Sequence, residues 1–194
     1  MPRWQPGARD RLAAAAFELF LERGFEQTTV TDIAARAGVD KRTFYRIFGD
    51  KREVLFSGGT DLKELVARAT AEEPGAAADP FGAVIAAYGV AAREIFAGRL
   101  EFVRARQLII AGSPELVERE LLKMGSVAAA LAEALTAHGV SEAAAWLAAE
   151  SGTTVFRVAF TRWIADSDEQ PFEELITKTA RDLRSVTAPG VPAV

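Results

Sequence analysis

The chain of 194 residues is 49% apolar and 26% charged, an ordinary globular composition with room for one large domain or two small ones. It has no cysteine and a single histidine, so disulfides, thiolate metal sites and the common zinc sites are excluded. The net charge of −4 is uneven: residues 1–60 carry ten Lys/Arg against eight Asp/Glu, and residues 61–194 carry thirteen against nineteen, so contact with a polyanion would rest on locally placed cations in the first third.

Residues 1–7 lack the apolar region of a signal peptide, and no apolar run approaches the length that spans a bilayer, so a cytoplasmic location with no membrane partner is expected. The first residues are expected to form a flexible tail, as are residues 188–194, which are rich in Pro and Gly. Arg3 and Arg9 could form an arm that reaches phosphate; for Arg3 the other reading is a frayed tail. A first helix runs from Ala8 to Arg23, with Leu12, Ala15, Ala16, Leu19 and Phe20 along one face.

Residues 28–56 are the most informative stretch. Thr29-Val30-Thr31-Asp32 matches a capping box at a helix start. Ile33, Ala34 and Ala37 follow at helical spacing, and Gly38 stands where a left-handed residue ends a helix. Val39 plugs the turn, and Asp40 is a good N-cap for the next helix. In that helix, Lys41 to Phe48, the residues Phe44, Ile47 and Phe48 share one arc. Lys41, Arg42, Tyr45 and Arg46 share the opposite arc, and Thr43 sits between them. The outward arc offers cations and a phenol to phosphate oxygens and purine edges. Gly49 stops the helix. Asp50 and Glu53 repeat the capping pattern, opening a helix whose first turn carries Lys51, a candidate phosphate site. Two short helices about a Gly turn, the second with a basic outer face, have the layout of a helix-turn-helix.

These residues resemble the TetR family of bacterial transcriptional regulators. The resemblance runs from about Arg9 to Leu55 and is carried by Arg23-Gly24-Phe25, Thr28-Thr29-Val30, Asp32-Ile33-Ala34, Ala37-Gly38-Val39, Thr43-Phe44-Tyr45, Phe48, Lys51 and Leu55. It implies an all-α protein: a three-helix DNA-binding domain over residues 8–56, with the helix-turn-helix at about 30–49, then a helical effector-binding and dimerisation domain over residues 57–187. By position, it implies DNA contacts from Thr29 and Thr31, base reading by Lys41 and Arg42, and phosphate contacts from Thr43, Tyr45 and Lys51. Asp40 and Arg46 depart from the family pattern. Asp40 brings a negative charge near the groove, and Arg46 either adds a phosphate contact or pairs with Asp50.

Further along, a helix is expected over residues 51–71, with Gly58-Gly59 inside it as a possible kink, then a loop over 72–80. Helices follow over 80–97, 100–111 and 114–138, the last opened by the Ser113-Pro114 pair. Ser141 caps one that runs to about Ala165, and Pro171 opens the final one. Between Ala149 and Trp163 the apolar surface exceeds what one core face needs. Gly152, Phe156, Phe160 and Trp163, with Phe172, Leu175, Thr179 and Leu183, either pair with a second copy in a four-helix bundle or form a helix pair central to one protomer.

Candidate effector-binding residues are Tyr88, Phe96, Phe102, Arg106, Trp146 and Phe156; each aromatic is otherwise plain core, and Arg106 a surface ion-pair partner. No residue spacing suggests catalysis or a cofactor, and His138 reads as a dipole partner at a helix end. The expected function is a homodimeric repressor, bound to a palindromic double-stranded operator and released by a largely apolar small molecule. The alternative is a helical protein-interaction or small-molecule-binding protein without DNA function.

Overall fold

The structure, a computed structural model, describes residues 7–56, 61–165 and 170–188. The tails expected at either end fall, apart from Gly7 and Ala188, outside these residues, as do Arg3 and the Gly58-Gly59 pair. The described chain is all-helical: α1 (Ala8–Arg23), α2 (Val30–Arg36), α3 (Lys41–Phe48), α4 (Glu53–Phe56), α5 (Leu62–Ala71), α6 (Pro80–Ala91), α7 (Leu100–Ala111), α8 (Pro114–Ala137), α9 (Glu142–Ala165) and α10 (Phe172–Thr187). A π-helical turn, Ala92–Phe96, follows α6 directly.

Among the described residues, 7–56 and 101–121 form one compact unit and the others form a second. The first has a continuous apolar core. Leu12, Leu19, Phe20, Ile33 and Phe44 meet in it, and Ile109, Ile110 and Leu116 join them. The sequence division at residue 56 therefore did not anticipate that α7 and the start of α8 pack with α1–α4. Polar contacts tie the same segments together. Arg119 pairs with Glu53 at 2.6 Å, Arg52 with Glu115 at 3.2 Å, and the Ser113 hydroxyl donates to Glu26 at 2.9 Å.

At Asp61 the chain is extended, where a single helix over residues 51–71 was expected. A new helix, α5, begins with Asp61 as N-cap, its carboxylate accepting the Lys63 N–H at 2.8 Å. At the second capping pattern, Asp50 Oδ1 accepts the Arg52 N–H at 2.6 Å, and the Glu53 carboxylate accepts from Arg119 at 2.6 Å.

In the second unit α6, α9 and α10 enclose Tyr88, Phe156, Trp163, Phe172 and Ile176, all buried. The Tyr88 hydroxyl and the Thr153 hydroxyl share a hydrogen bond of 2.8 Å inside this core, and burial pushes the Tyr88 phenol well above its usual range. Gly152 is needed for close packing, since a methyl group there would overlap Val84 on α6. His138 Nε2 lies 2.9 Å from the carbonyl of Ala71, so the ring caps the end of α5 rather than its own helix.

Candidate nucleic-acid interface

The recognition face is built from short-range signals. Thr29 and Asp32 make the reciprocal capping box: the Asp32 N–H donates to Thr29 Oγ1 at 3.1 Å, and the Thr29 N–H donates to Asp32 Oδ2 at 3.0 Å. The Thr29 hydroxyl also donates to Asp32 Oδ2 at 2.6 Å, so its proton is already committed within the cap. Gly38 (φ 66°) makes the turn, and Asp40 accepts the Thr43 N–H at 2.6 Å to start α3. Gly49 (φ 73°) ends α3, its N–H donating to the Tyr45 carbonyl.

Two buried rings fix the rotation of α3: Phe44 is fully buried and Phe48 nearly so. Lys41, Arg42, Tyr45 and Arg46 are consequently exposed, as are Thr29 and Thr31, whereas Thr43 is half-buried. The Lys41 ammonium lies over the Tyr45 ring at 5.8 Å, and the Arg9 guanidinium over Phe48 at 5.2 Å. Asp50 is engaged by Arg52, so the pairing considered for Arg46 is replaced by one two residues away.

The structure adds two anchors with no local signature in the sequence. Arg11 Nε donates to the Ala37 carbonyl at 3.1 Å, closing the end of α2 from 26 positions away. Lys51 Nζ donates to the carbonyls of Phe25 and Thr28. That ammonium, expected at the DNA face, is turned toward the protein.

Both capping carboxyls are held below the usual carboxylate range. For Asp32 the leading cause is the Thr29 hydroxyl, and for Asp40 the Thr43 N–H. A folded-state pKa below the unfolded one adds stability above the unfolded value, and this is lost as pH falls through the folded value. The helical circular dichroism of the chain will therefore fade on acidification. Asp40→Ser keeps an accepting oxygen but cannot titrate, and it will reduce that loss. An identical acid limb in this variant would show that the Asp40 cap plays no part in it.

A family model described as bacterial regulatory proteins, tetR family, matches residues 12–57. This segment matches the TetR family. A curated relative, the HTH-type transcriptional regulator TcmR of Streptomyces glaucescens, is 31% identical over 135 residues, which cover 67% of this chain and 59% of that protein. The chain thus spans under two thirds of the length of this relative. Solved structures share the TetR-family fold. NalD, the secondary repressor of the MexAB-OprM multidrug efflux pump in Pseudomonas aeruginosa, superposes with a TM-score of 0.58 at 19% identity, covering 90% of this chain and 94% of that one. A SmeT–triclosan complex gives 0.63 at 19% identity, covering 96% of each chain.

Outside the matched domain, the candidate effector residues separate. Tyr88, Phe96 and Phe156 come together, with Tyr88 stacked on Phe156 at 4.5 Å and Phe96 tilted against it at 5.9 Å. Phe102 and Arg106 belong instead to the first unit. Phe102 stacks on Phe17 at 4.8 Å, while Arg106 pairs with Glu120 at 3.1 Å and donates to the Leu55 carbonyl. Trp146 is 42% exposed on the flank of α9. A groove along the outer side of α10, lined by Glu173, Glu174, Thr177, Lys178 and Arg181, is too charged to suit an apolar molecule.

The residues considered for a dimer interface mostly face inward within the protomer. Gly152, Phe156, Trp163, Phe172, Leu175 and Thr179 are buried, and Phe160 and Leu183 are half-buried. Of the two arrangements open from sequence, their burial matches the helix pair central to one protomer. The opposite side of α9 carries Leu147 (70% exposed), Ser151, Thr154, Val158 (41% exposed), Thr161 and Ala165. These positions form one uncharged stripe at helical spacing.

Proposed function

We propose that this chain is a homodimeric, sequence-specific regulator of transcription, a repressor that leaves its operator when a small apolar molecule binds. The observation that carries the reading is the outer face of α3: Lys41, Arg42, Tyr45 and Arg46 stand exposed on a helix anchored from behind by Phe44 and Phe48. Lys41 and Arg42 read base edges, and Tyr45, Arg46 and Thr31 bind phosphate. Thr29 and Thr43 act mainly by starting their helices. The chain works in the cytoplasm and performs no catalysis.

Two copies pair through the uncharged stripe of α9 about a two-fold axis, which sets the readers about one DNA turn apart on a palindromic site. The effector enters the second unit near Tyr88, Phe96 and Phe156, where rings supply apolar walls and the Tyr88–Thr153 hydroxyl pair supplies a polar handle. The triclosan held by SmeT supports a small, largely apolar ligand. Binding there shifts the population toward reader spacings that no longer fit the operator.

The decisive experiment is a gel shift of the purified chain on DNA upstream of its own gene, with light scattering on the same sample. A retarded band that survives excess random duplex, from a protein of dimer mass, is the expected result. A monomer that retards no fragment at low ionic strength would overturn the reading.

A further inference from the structure

We propose that Lys51 is a positioning residue of the reader and not a phosphate ligand: its ammonium clamps the peptide that precedes α2. The inference rests on the DNA-reading assignment above and revises the role expected for Lys51. Nζ lies 2.8 Å from the Phe25 carbonyl, 3.1 Å from the Thr28 carbonyl and 3.9 Å over the centre of the Phe25 ring. An ammonium has three donors and no acceptor capacity. Two of those donors are spent on carbonyls, and the ring face accommodates the charge.

The clamped segment connects α1 to α2, and its other contacts are also fixed. Phe25 and Thr28 are both buried. The Thr28 hydroxyl lies 2.8 Å from the Gly24 carbonyl and 3.2 Å from that of Leu19. The Thr28–Thr29 peptide is held at both ends, its carbonyl by Lys51 and its N–H by Asp32 Oδ2. That peptide sets where α2 begins, and α2 leads through the Gly38 turn into α3. A phosphate could recruit Nζ only by drawing it off both carbonyls: that of Phe25 would keep the Thr28 N–H at 3.2 Å, but that of Thr28 would lose the donor Lys51 gives it, which is costly. The clamp therefore acts on DNA through the placement of Thr31, Lys41 and Arg42.

The test uses the full chain, a Lys51→Met variant that keeps the aliphatic stem, and a duplex obtained by in vitro selection with the unmodified chain. Affinity is measured over a series of salt concentrations. A positioning role predicts a loss of about tenfold with the salt slope unchanged, whereas a lost phosphate contact lowers that slope by about one. A lowered slope, or an unchanged affinity, overturns the proposal.

The ammonium resonance of Lys51 in the unmodified chain supplies a second readout that does not depend on the variant folding. It should be shifted by the Phe25 ring in the free protein, lose that shift in Phe25→Leu, and stay in place when DNA is added. Movement on DNA binding, with coupling to phosphorus, would show a phosphate ligand. If the chain binds no duplex at all, the DNA-reading assignment falls, and the free-protein resonance still decides whether the clamp exists.

Discussion

Arg42→Ala will erode the chain's choice between operator sequences more than it weakens binding as such. Arg42 is exposed at the leading end of α3, on the side away from Phe44 and Phe48, so its removal leaves the anchored core untouched. A guanidinium at the leading end of a reader helix suits the paired acceptors of guanine, and such a contact discriminates by about 1–3 kcal/mol. At about 1.4 kcal/mol per tenfold, the gap between cognate and substituted base at one position should shrink by roughly ten- to hundredfold. Tyr45→Phe should behave differently, weakening all duplexes by a similar small factor, because a phenol to phosphate carries no sequence information. Titrating a panel of single-base variants of the selected duplex separates the two patterns. If Arg42→Ala leaves the ranking of the panel unchanged, Arg42 is not a base reader and α3 enters the groove in another orientation.

The legibility of this chain follows the range of its signals. The bounds of α1, α2 and α3 could be read because each is set within a few residues: the Thr29–Asp32 box, the Asp40 cap, and Gly24, Gly38 and Gly49 in positive φ. The two faces of α3 were equally plain, since Phe44 and Phe48 alternate with cations at helical spacing. The anchors that orient these helices were not legible. Arg11 reaches Ala37, and Lys51 reaches Phe25 and Thr28, across 23 to 26 positions, so nothing beside either residue marks its partner. The assignment of α7 and the start of α8 to the first unit was hidden for the same reason: Ile109, Ile110 and Leu116 are apolar positions that either unit could have buried. A local cue for the break before α5 was present in Asp61, but the apolar residues on both sides fit one long helix. In α9 the difficulty was ambiguity. Both sides are apolar or small, and the pattern cannot say which side its own protomer takes.

That ambiguity has a consequence that can be measured. Val158→Arg will convert the chain to a monomer and abolish operator binding at concentrations where the unmodified protein is saturated. Val158 is 41% exposed near the middle of the uncharged stripe, with Thr154 and Leu147 on one side and Ala165 on the other. About a two-fold axis a surface meets its own copy, so one substitution sets two guanidinium groups against the same interface. Like charges brought together there cost several kcal/mol, enough to lower the affinity for a palindromic duplex by about a hundredfold or more. The substitution points away from the protomer core, so the helical signal and melting behaviour of the monomer should persist. Phe156→Ala makes the contrast. Phe156 is 5% exposed and stacked on Tyr88, so its loss should destabilise the second unit itself, by about 3–5 kcal/mol for a buried phenylalanine, before any change in association. Light scattering therefore responds to Val158→Arg, and the thermal melt to Phe156→Ala. A Val158→Arg chain that stays dimeric would place the interface off this side of α9.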